Sequence, residues 1–222
     1  MINEVTFTEA MFRRDFNPRL LGHLKLAINH GYIMSNKCID DNDFLKDFVG
    51  KRDRSRLQNT AVEFAIKDRA ERFGLELKAV PSNNVRGSFP HYDFFTGKSI
   101  FTVSRTDKYD AFPRDADFRS FNGGMNSQIE MVHDGNSLVV VNDFDDVEKY
   151  YSILTFGGKL DVEFMYLGVP NMTINRWLHQ QNIATALTPV EKIVPQKEEI
   201  AETQVAAIKD EFLKRKEVSQ GE

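Results

Sequence analysis

The feature that most constrains the fold is a predicted strand pair in the middle of the chain. Phe89–Phe95 alternates along its length, and Ile100–Ser104 is rich in β-branched and aromatic residues. The link between them, Thr96-Gly97-Lys98, is short and contains turn-forming residues. This pattern predicts an antiparallel β-hairpin, with Tyr92 and Phe94 on one face of the first strand.

The other face of that strand carries a polar pair, His91 and Asp93, with Thr102 or Ser104 expected opposite them. Two interpretations stay open. In one, Asp93 orients a catalytic His91 whose charge can change near neutral pH. In the other, the pair belongs to the solvated polar face of a half-buried hairpin, because a lone His-x-Asp carries little specificity. Two ligands are too few for a metal site.

An aromatic and charged loop, Asp110–Arg119, follows the hairpin. Pro113 restricts the backbone, and neighbouring phenylalanines are expected to pin the loop to the core. Arg114 and Arg119 would then be held in place, and their planar donor groups suit a phosphate or a carboxylate. Alternatively, both arginines pair with the acids that surround them in the loop.

Helical signals dominate the chain before the hairpin. Asn17-Pro18 predicts a helix start, and Gly31 is expected to end that helix. Leu57–Phe73 has a wide apolar arc and predicts a long helix that packs on the sheet, with Gly74 as its C-terminal cap.

A basic run precedes this long helix and contains Lys51, Arg52, Arg54 and Arg56. These side chains, together with the helix N-terminus, could hold a phosphate or a nucleic-acid backbone. The alternative is a solvated, charged start of the helix.

The second half of the chain is predicted to be rich in strands. Asn126–Val132 reads as a strand, and Tyr150–Phe156 and Leu160–Leu167 flank Gly157-Gly158-Lys159 as a second hairpin. Thr173–Gln181 is expected to be a helix that carries the single tryptophan, Trp177.

The composition changes near residue 189. Pro195–Val218 is rich in Glu, Lys, Ala and Gln, and it predicts an exposed helix. Its thin apolar stripe comprises Ile200, Val205, Ile208, Phe212 and Leu213. Such a stripe suits a partner, self-association or packing along the body of the protein.

The predicted fold class is therefore α+β: a mostly antiparallel β-sheet packed by N-terminal helices, with an appended C-terminal helix. We expect one domain over residues 1–188, helical over about 8–74 and rich in strands over about 75–181. Residues 189–222 would form a helical tail.

Composition limits the classes of function. The 222 residues carry a formal net charge of −4, so any nucleic-acid contact would need a local basic patch. The single cysteine, Cys38, excludes an intrachain disulfide and favours a reducing compartment. The N-terminus lacks an apolar signal core, and no stretch is long and apolar enough to cross a bilayer. We therefore expect a cytoplasmic protein with no membrane contact.

Cofactor motifs are missing from the sequence. It contains no phosphate-binding glycine loop, dinucleotide fingerprint, paired-cysteine metal site or nucleophile elbow. We therefore predict no cofactor and no metal, and His91 and Asp93 remain the candidates for catalysis if the protein is an enzyme.

Two stretches resemble a group of uncharacterised bacterial and phage proteins. The first, within 88–122, contains PHYDFF, IFTVSRT and FPRDADFR followed by an Asn; the second is LTFGGKLDVEFMYLGVPN over 154–171. The resemblance covers about residues 15–180 and implies a place in toxin–antitoxin or phage–host conflict systems. It transfers no catalytic residue.

The chain also resembles the restriction-endonuclease-like core. That resemblance implies an Asp on one strand, for which Asp93 qualifies, and an acid-x-Lys on the next strand to hold Mg²⁺. The next strand here reads IFTVSRT, which lacks the acid and the lysine. A chain that lacks this acid and lysine could still bind nucleic acid without cleaving it.

Three hypotheses of function follow. The first is a non-enzymatic binding or regulatory protein of a conflict system, antitoxin-like or acting in defence or anti-defence. It would contact a protein partner through the loop within residues 86–122 and the C-terminal helix, which could also mediate self-association. The second is a nucleic-acid-binding protein that uses the basic run, Arg114 and Arg119 for phosphates. The third is a small-ligand binder or enzyme built on His91 and Asp93.

Overall fold

The computed structural model describes residues 7–83, 90–133, 148–189 and 209–210. The helices among them are α1 (Phe7–Asp15), α2 (Pro18–Asp40), α3 (Asp43–Lys46), a 3₁₀ helix (Gly50–Asp53), α4 (Arg54–Phe73), α5 (Asp117–Gly123), a second 3₁₀ helix (Gly124–Asn126) and α6 (Ser127–His133). The strands are β1 (Lys78–Ser82), β2 (His91–Thr96), β3 (Ser99–Arg105), β4 (Tyr150–Gly157), β5 (Phe164–Pro170) and β6 (Trp177–Asn182).

The described strands form one six-stranded sheet in the order of the sequence, β1 to β6. Every neighbouring pair is antiparallel except β3 and β4, which are parallel. A parallel pair needs a long crossover, and here the chain between β3 and β4 includes α5 and α6. The predicted α+β class, with a mostly antiparallel sheet and helices, is confirmed. The predicted C-terminal helix lies outside the described residues, except for Lys209 and Asp210.

Local capping defines the start of α2 and the end of α4. The side chain of Asn17 accepts a hydrogen bond from the amide of Leu20, and Pro18 is the first residue of α2. Gly74 caps α4 in the left-handed conformation, with φ of 54°. The predicted start of α2 and the predicted end of α4 are therefore confirmed.

Gly31 does not end α2, contrary to the prediction. The helix continues to Asp40, and Gly31 lies where α2 crosses α4. A Cβ atom at this position would come within 2.7 Å of the Cα of Val62. The glycine is therefore explained by the close approach of the two helices and not by a helix end.

The main core lies between these helices and one face of the sheet. Phe94 of β2 stacks on Phe101 of β3 with ring centroids 5.1 Å apart, and Phe101 also meets the edge of Phe16. Tyr92 lies on the same side, where the ammonium of Lys67 in α4 approaches its ring. The alternation predicted for β2, with Tyr92 and Phe94 on one face, is confirmed.

Asn126–Val132 is helical and not the predicted strand. Asn126 ends the second 3₁₀ helix, and α6 begins at Ser127. The buried side chain of Asn126 donates to the carbonyls of Tyr151 and Pro170 and accepts from the amide of Tyr151. The side chain of Asn126 thus bonds to the backbone of β4 and β5 where these two strands no longer pair with each other. These bonds hold the helical segment beside the sheet.

The predicted helix over Thr173–Gln181 is also wrong, because Trp177–Asn182 is strand β6. Asn171 organises the preceding turn, since its side-chain oxygen accepts from the amides of Asn175 and Arg176. This turn directs the chain back along β5, and backbone pairing with β5 outweighs the local helical pattern.

The predicted hairpin around Gly157-Gly158-Lys159 has a longer link than the sequence indicated. β4 ends at Gly157, and β5 begins only at Phe164. Arg105 and Tyr32 both donate to the carbonyl of Gly158, at 3.0 and 3.2 Å. Contacts from β3 and α2 therefore hold this loop in place.

Two histidines should make stability depend on pH. Burial lowers the pKa of His30 and of His179 from the ordinary value near 6.5. Below that value the unfolded chain binds protons that the folded chain does not, so stability should fall as pH decreases from about 6.5 towards the native pKa values. Urea unfolding between pH 7.5 and 5.5 should show this fall, and a His30→Gln, His179→Gln variant should show a flatter profile. If the free energy of unfolding depended equally on pH in both proteins, His30 and His179 would not be the cause of the fall.

Candidate functional site

The polar pair predicted on β2 is present on the sheet face opposite the main core. The Nε2 atom of His91 lies 3.5 Å from Oδ1 of Asp93. The side chain of His91 is 4% exposed and that of Asp93 is 19% exposed. The hypothesis of a solvated polar face therefore does not describe His91, which is buried.

Helix α5 covers this pair. The ring of Phe118 stacks on the imidazole of His91 with centroids 4.0 Å apart. The guanidinium of Arg119 lies 4.7 Å from the centre of the Phe118 ring on which it stacks. The side chain of His91 therefore has little contact with solvent.

Arg119 points inward and joins the same cluster. It donates to the hydroxyl of Ser104 at 3.4 Å and to the carbonyl of Arg114 at 2.7 Å. Burial lowers its pKa, and the neighbouring Tyr151 opposes that shift. Arg114 itself is exposed, so the two loop arginines do not present a shared surface fork.

Tyr151 of β4 completes the cluster. Its hydroxyl shares a hydrogen bond with that of Thr102 at 2.5 Å. Burial raises the pKa of Tyr151 to about 12, although Thr102 and Arg119 oppose the shift. The phenol therefore keeps its proton at neutral pH and acts as a hydrogen-bonding group. Sequence reasoning missed Tyr151, because the parallel pairing of β3 with β4 brings it here.

A buried acid lies at the same end of the sheet, on α4. Glu63 accepts hydrogen bonds from the amide of Tyr92 at 3.3 Å and from the side chain of Asn59 at 2.6 Å. Asn59 in turn accepts from the amide of Arg105. These bonds attach α4 to the start of β2 and the end of β3. Glu63 was not among the residues selected from the sequence.

The described parts of the chain contain no group of three or more His, Cys, Asp or Glu residues that could hold a metal ion. β2, which carries Asp93, and β3 are adjacent and antiparallel. β3 has no acid within Ser99–Arg105. Asp93 lies beside His91 in a cluster where Arg119 of α5 donates to Ser104 of β3.

The basic run is divided between two elements. Lys51 and Arg52 are exposed on the first 3₁₀ helix, where Arg52 lies 3.6 Å from the carboxylate of Asp53. Arg54 and Arg56 are half-buried in the first turn of α4. Of the four cations in the basic run, Lys51 and Arg52 are therefore the exposed ones.

An exposed apolar patch directly precedes the basic run, and the sequence interpretation overlooked it. The side chains are Phe48 (85% exposed), Phe44 (65%) and Val49 (57%), and we call them the Phe44–Val49 patch. The signal in the sequence is the apolar pair Phe48-Val49, which stands between Asp47 and Gly50-Lys51.

Phe44 lies on α3, and the turn after α3 that carries Phe48 and Val49 is firmly braced. Leu45 is buried in a small core beneath it, and a Cβ atom on Gly50 would come within 2.6 Å of the Cα of Leu45. The carboxylate of Asp47 accepts from the amide of Val49, and its carbonyl accepts from the amide of Lys51. The turn therefore holds Phe44, Phe48 and Val49 outside the core.

Comparisons with protein-family models, with curated proteins and with solved structures found no match to this chain. Among the described residues, no helix combines the length and the apolar character needed to cross a membrane.

Proposed function

We propose that the chain is a non-enzymatic binding or regulatory protein of a bacterial or phage conflict system, and that it acts by contacting a protein partner. The observation that carries this proposal is the exposure of Phe44 on α3 and of Phe48 and Val49 on the braced turn that follows it. Contiguous apolar side chains at a surface mark interaction sites, and aromatic residues are enriched at the centres of protein interfaces.

The charges around the patch suit a protein partner. Lys46 pairs with Asp43, and Arg52 lies near Asp53, so the rim contains both signs. An apolar centre with a mixed polar rim is typical of protein–protein interfaces. Burying Phe48 in a partner would contribute about 2–3 kcal/mol.

A binding role is further supported by the position of the candidate catalytic pair. His91 lies beneath Phe118, and Asp93 lies beside His91 with 19% of its side chain exposed. The resemblance to uncharacterised bacterial and phage proteins supports the conflict-system setting. As part of the proposal we place the protein in the cytoplasm, where a buried free thiol such as Cys38 stays reduced.

A second candidate function is nucleic-acid binding on a diverged endonuclease-like core. The exposure of Lys51 and Arg52 beside the aromatic patch favours it, because cations and aromatic rings together bind single strands. Since β3 carries no acid-x-Lys, this candidate predicts binding without metal-dependent cleavage.

One photocrosslinking experiment separates the two functions. A benzophenone amino acid at position 48 should capture a single protein in cells of the native host, and the product should be sensitive to protease only. Adding Phe44→Asp should weaken capture roughly thirtyfold, because losing an interface aromatic costs about 2 kcal/mol and each 1.4 kcal/mol is a factor of about ten. The captured protein, once purified, should bind the wild-type chain and not the Phe44→Asp, Phe48→Asp variant.

Two further probe positions complete the experiment: one is a control and the other tests a second surface. The same probe at Leu187, which is 80% exposed, should give no such product. At Phe121, which is 77% exposed within the loop predicted to contact a partner, it tests that second surface. A nuclease-sensitive product at position 48, lost when Lys51 and Arg52 are changed to Ala, would replace the protein-binding proposal with the second candidate. Equal capture from positions 48 and 187 would refute both.

A further inference from the structure

Strand β6 forms one edge of the sheet in the described part of the chain. The described strands follow the order β1 to β6, so β6 pairs with β5 on one side. The amide of Ile183, directly after β6, donates to the carbonyl of Met165 at 3.0 Å. Because bonded and non-bonded positions alternate along an antiparallel pair, Gln180, which lies opposite Gly168, is at a non-bonded position. Its backbone N–H and C=O therefore point away from β5.

The side chains of β6 are already held by the chain itself. Gln180 donates from its side chain to the carbonyl of Tyr109 at 3.1 Å, on the face opposite the main core. On the core face, the ring centroid of His179 lies 4.8 Å from that of Phe12 in α1. These contacts keep the strand extended, so another strand could pair with its outer edge without first ordering it.

The two edges of the sheet differ in their protection against pairing. β1, at the other edge, contains Lys78 and Pro81. Lysine and proline protect edge strands, because a proline has no amide hydrogen to donate and a lysine would lose its hydration. β6 has the sequence WLHQQN, which contains no proline, acid, lysine or arginine. The sheet is therefore protected at β1 and open to pairing at β6.

This difference determines how two copies of the chain could pair. Addition of β6 to the β1 strand of the next copy would be head-to-tail and would extend into a filament, and Lys78 and Pro81 oppose it. An antiparallel pair of two β6 strands uses the same surface in both copies and closes at two. Because burial lowers the pKa of His179, β6 is uncharged at neutral pH, and two copies meet without repulsion between like charges.

We propose that the chain forms a homodimer in which the β6 strands of two copies pair antiparallel and join their two sheets into one. The occupant of this edge is thus a second copy of the chain. The proposal goes beyond the proposed function, because it concerns a different part of the molecule from the Phe44–Val49 patch.

A proline at position 180 tests the pairing. Light scattering after size-exclusion chromatography should give the wild-type chain twice the mass of a single copy at micromolar concentrations. Gln180→Pro removes the N–H that points away from β5 and no bond to β5, so the variant should remain folded. We expect it to raise the dissociation constant of the dimer roughly tenfold or more, because each copy loses a donor at the pairing edge.

Gln180→Ala is the matched control. It loses the same side-chain contact with Tyr109 but keeps the backbone N–H, so it should dimerise as the wild type does. A wild-type chain that stays monomeric throughout the concentration range would overturn the proposal. So would a dimer that is equally stable in Gln180→Pro and Gln180→Ala, because a different surface would then hold the two copies together.

Hydrogen exchange provides a second test that needs no substitution. The exchange rate of the Gln180 amide in the wild-type chain is measured by NMR at a low and a high protein concentration. Pairing predicts that exchange slows several-fold at the high concentration. The amide of Gln181 faces β5, so its exchange should change much less. Equal exchange of the Gln180 amide at both concentrations would refute pairing through β6.

Discussion

Asn126→Asp is expected to lower the free energy of unfolding by roughly 4 kcal/mol at pH 7. The amide nitrogen of Asn126 donates to the carbonyls of Tyr151 and Pro170, at 2.9 and 2.7 Å. A carboxylate in this fully buried place would face both carbonyl oxygens without a proton to donate. The loss would be measured by urea unfolding, with the slope against urea checked for a change in compactness.

The effect of pH distinguishes this cause from a general loss of packing. As pH falls towards 5, the buried carboxyl should take up a proton and donate to one of the two carbonyls, so the deficit relative to the wild type should shrink. Asn29→Asp is the matched control, because Asn29 is half-buried and donates only to the carbonyl of Lys25 in its own helix. We expect that control to cost less than about 1 kcal/mol. If Asn126→Asp were as stable as Asn29→Asp, Asn126 would not connect β4 to β5.

Gly31→Val is expected to lower the free energy of unfolding by about 3 kcal/mol, because it overpacks the crossing of α2 and α4. The added Cβ would meet the Cα and the amide nitrogen of Val62, at 2.7 and 2.8 Å. Backbone atoms cannot move aside as a flexible side chain can, so the two helices would have to separate. Thermal and urea unfolding would both report the loss.

Two variants show whether the crossing is responsible. Gly124→Val adds the same side chain where no atom lies within 4 Å of the new Cβ, and it should change stability by no more than about 0.5 kcal/mol. Adding Val62→Ala to Gly31→Val should restore little, because the contacts with the Val62 backbone remain. Full recovery in that double variant would instead indicate a clash between side chains alone.

The features predicted correctly depend on residues close together in the sequence. Asn17 caps α2 through the amide of Leu20, three residues away, and Gly74 ends α4 by its own left-handed backbone. The β2–β3 hairpin is set by a short turn at Gly97, whose φ is 51°. Since side chains alternate along a strand, the neighbouring placement of His91 and Asp93 followed directly.

The site was predicted only in part, because its remaining members come from distant strands and from a covering helix. Arg119 was selected as a surface ligand for anions, yet α5 turns it towards Ser104. Tyr151 is 49 residues from Thr102 and meets it only because β3 and β4 pair in parallel. No local pattern encodes such a pairing.

The sequence by itself determined the α+β class, the ends of the long helices that are capped locally, and the face of β2 that carries each side chain. Tertiary structure alone decided that Gly31 lies at a helix crossing, that Trp177–Asn182 is a strand and that Phe48 stays outside the core. Caps and turns are stabilised by hydrogen bonds within a few residues, so their signals are local. Helix crossings, strand partners and burial depend on which distant segments come together, and their free energies outweigh the local preferences.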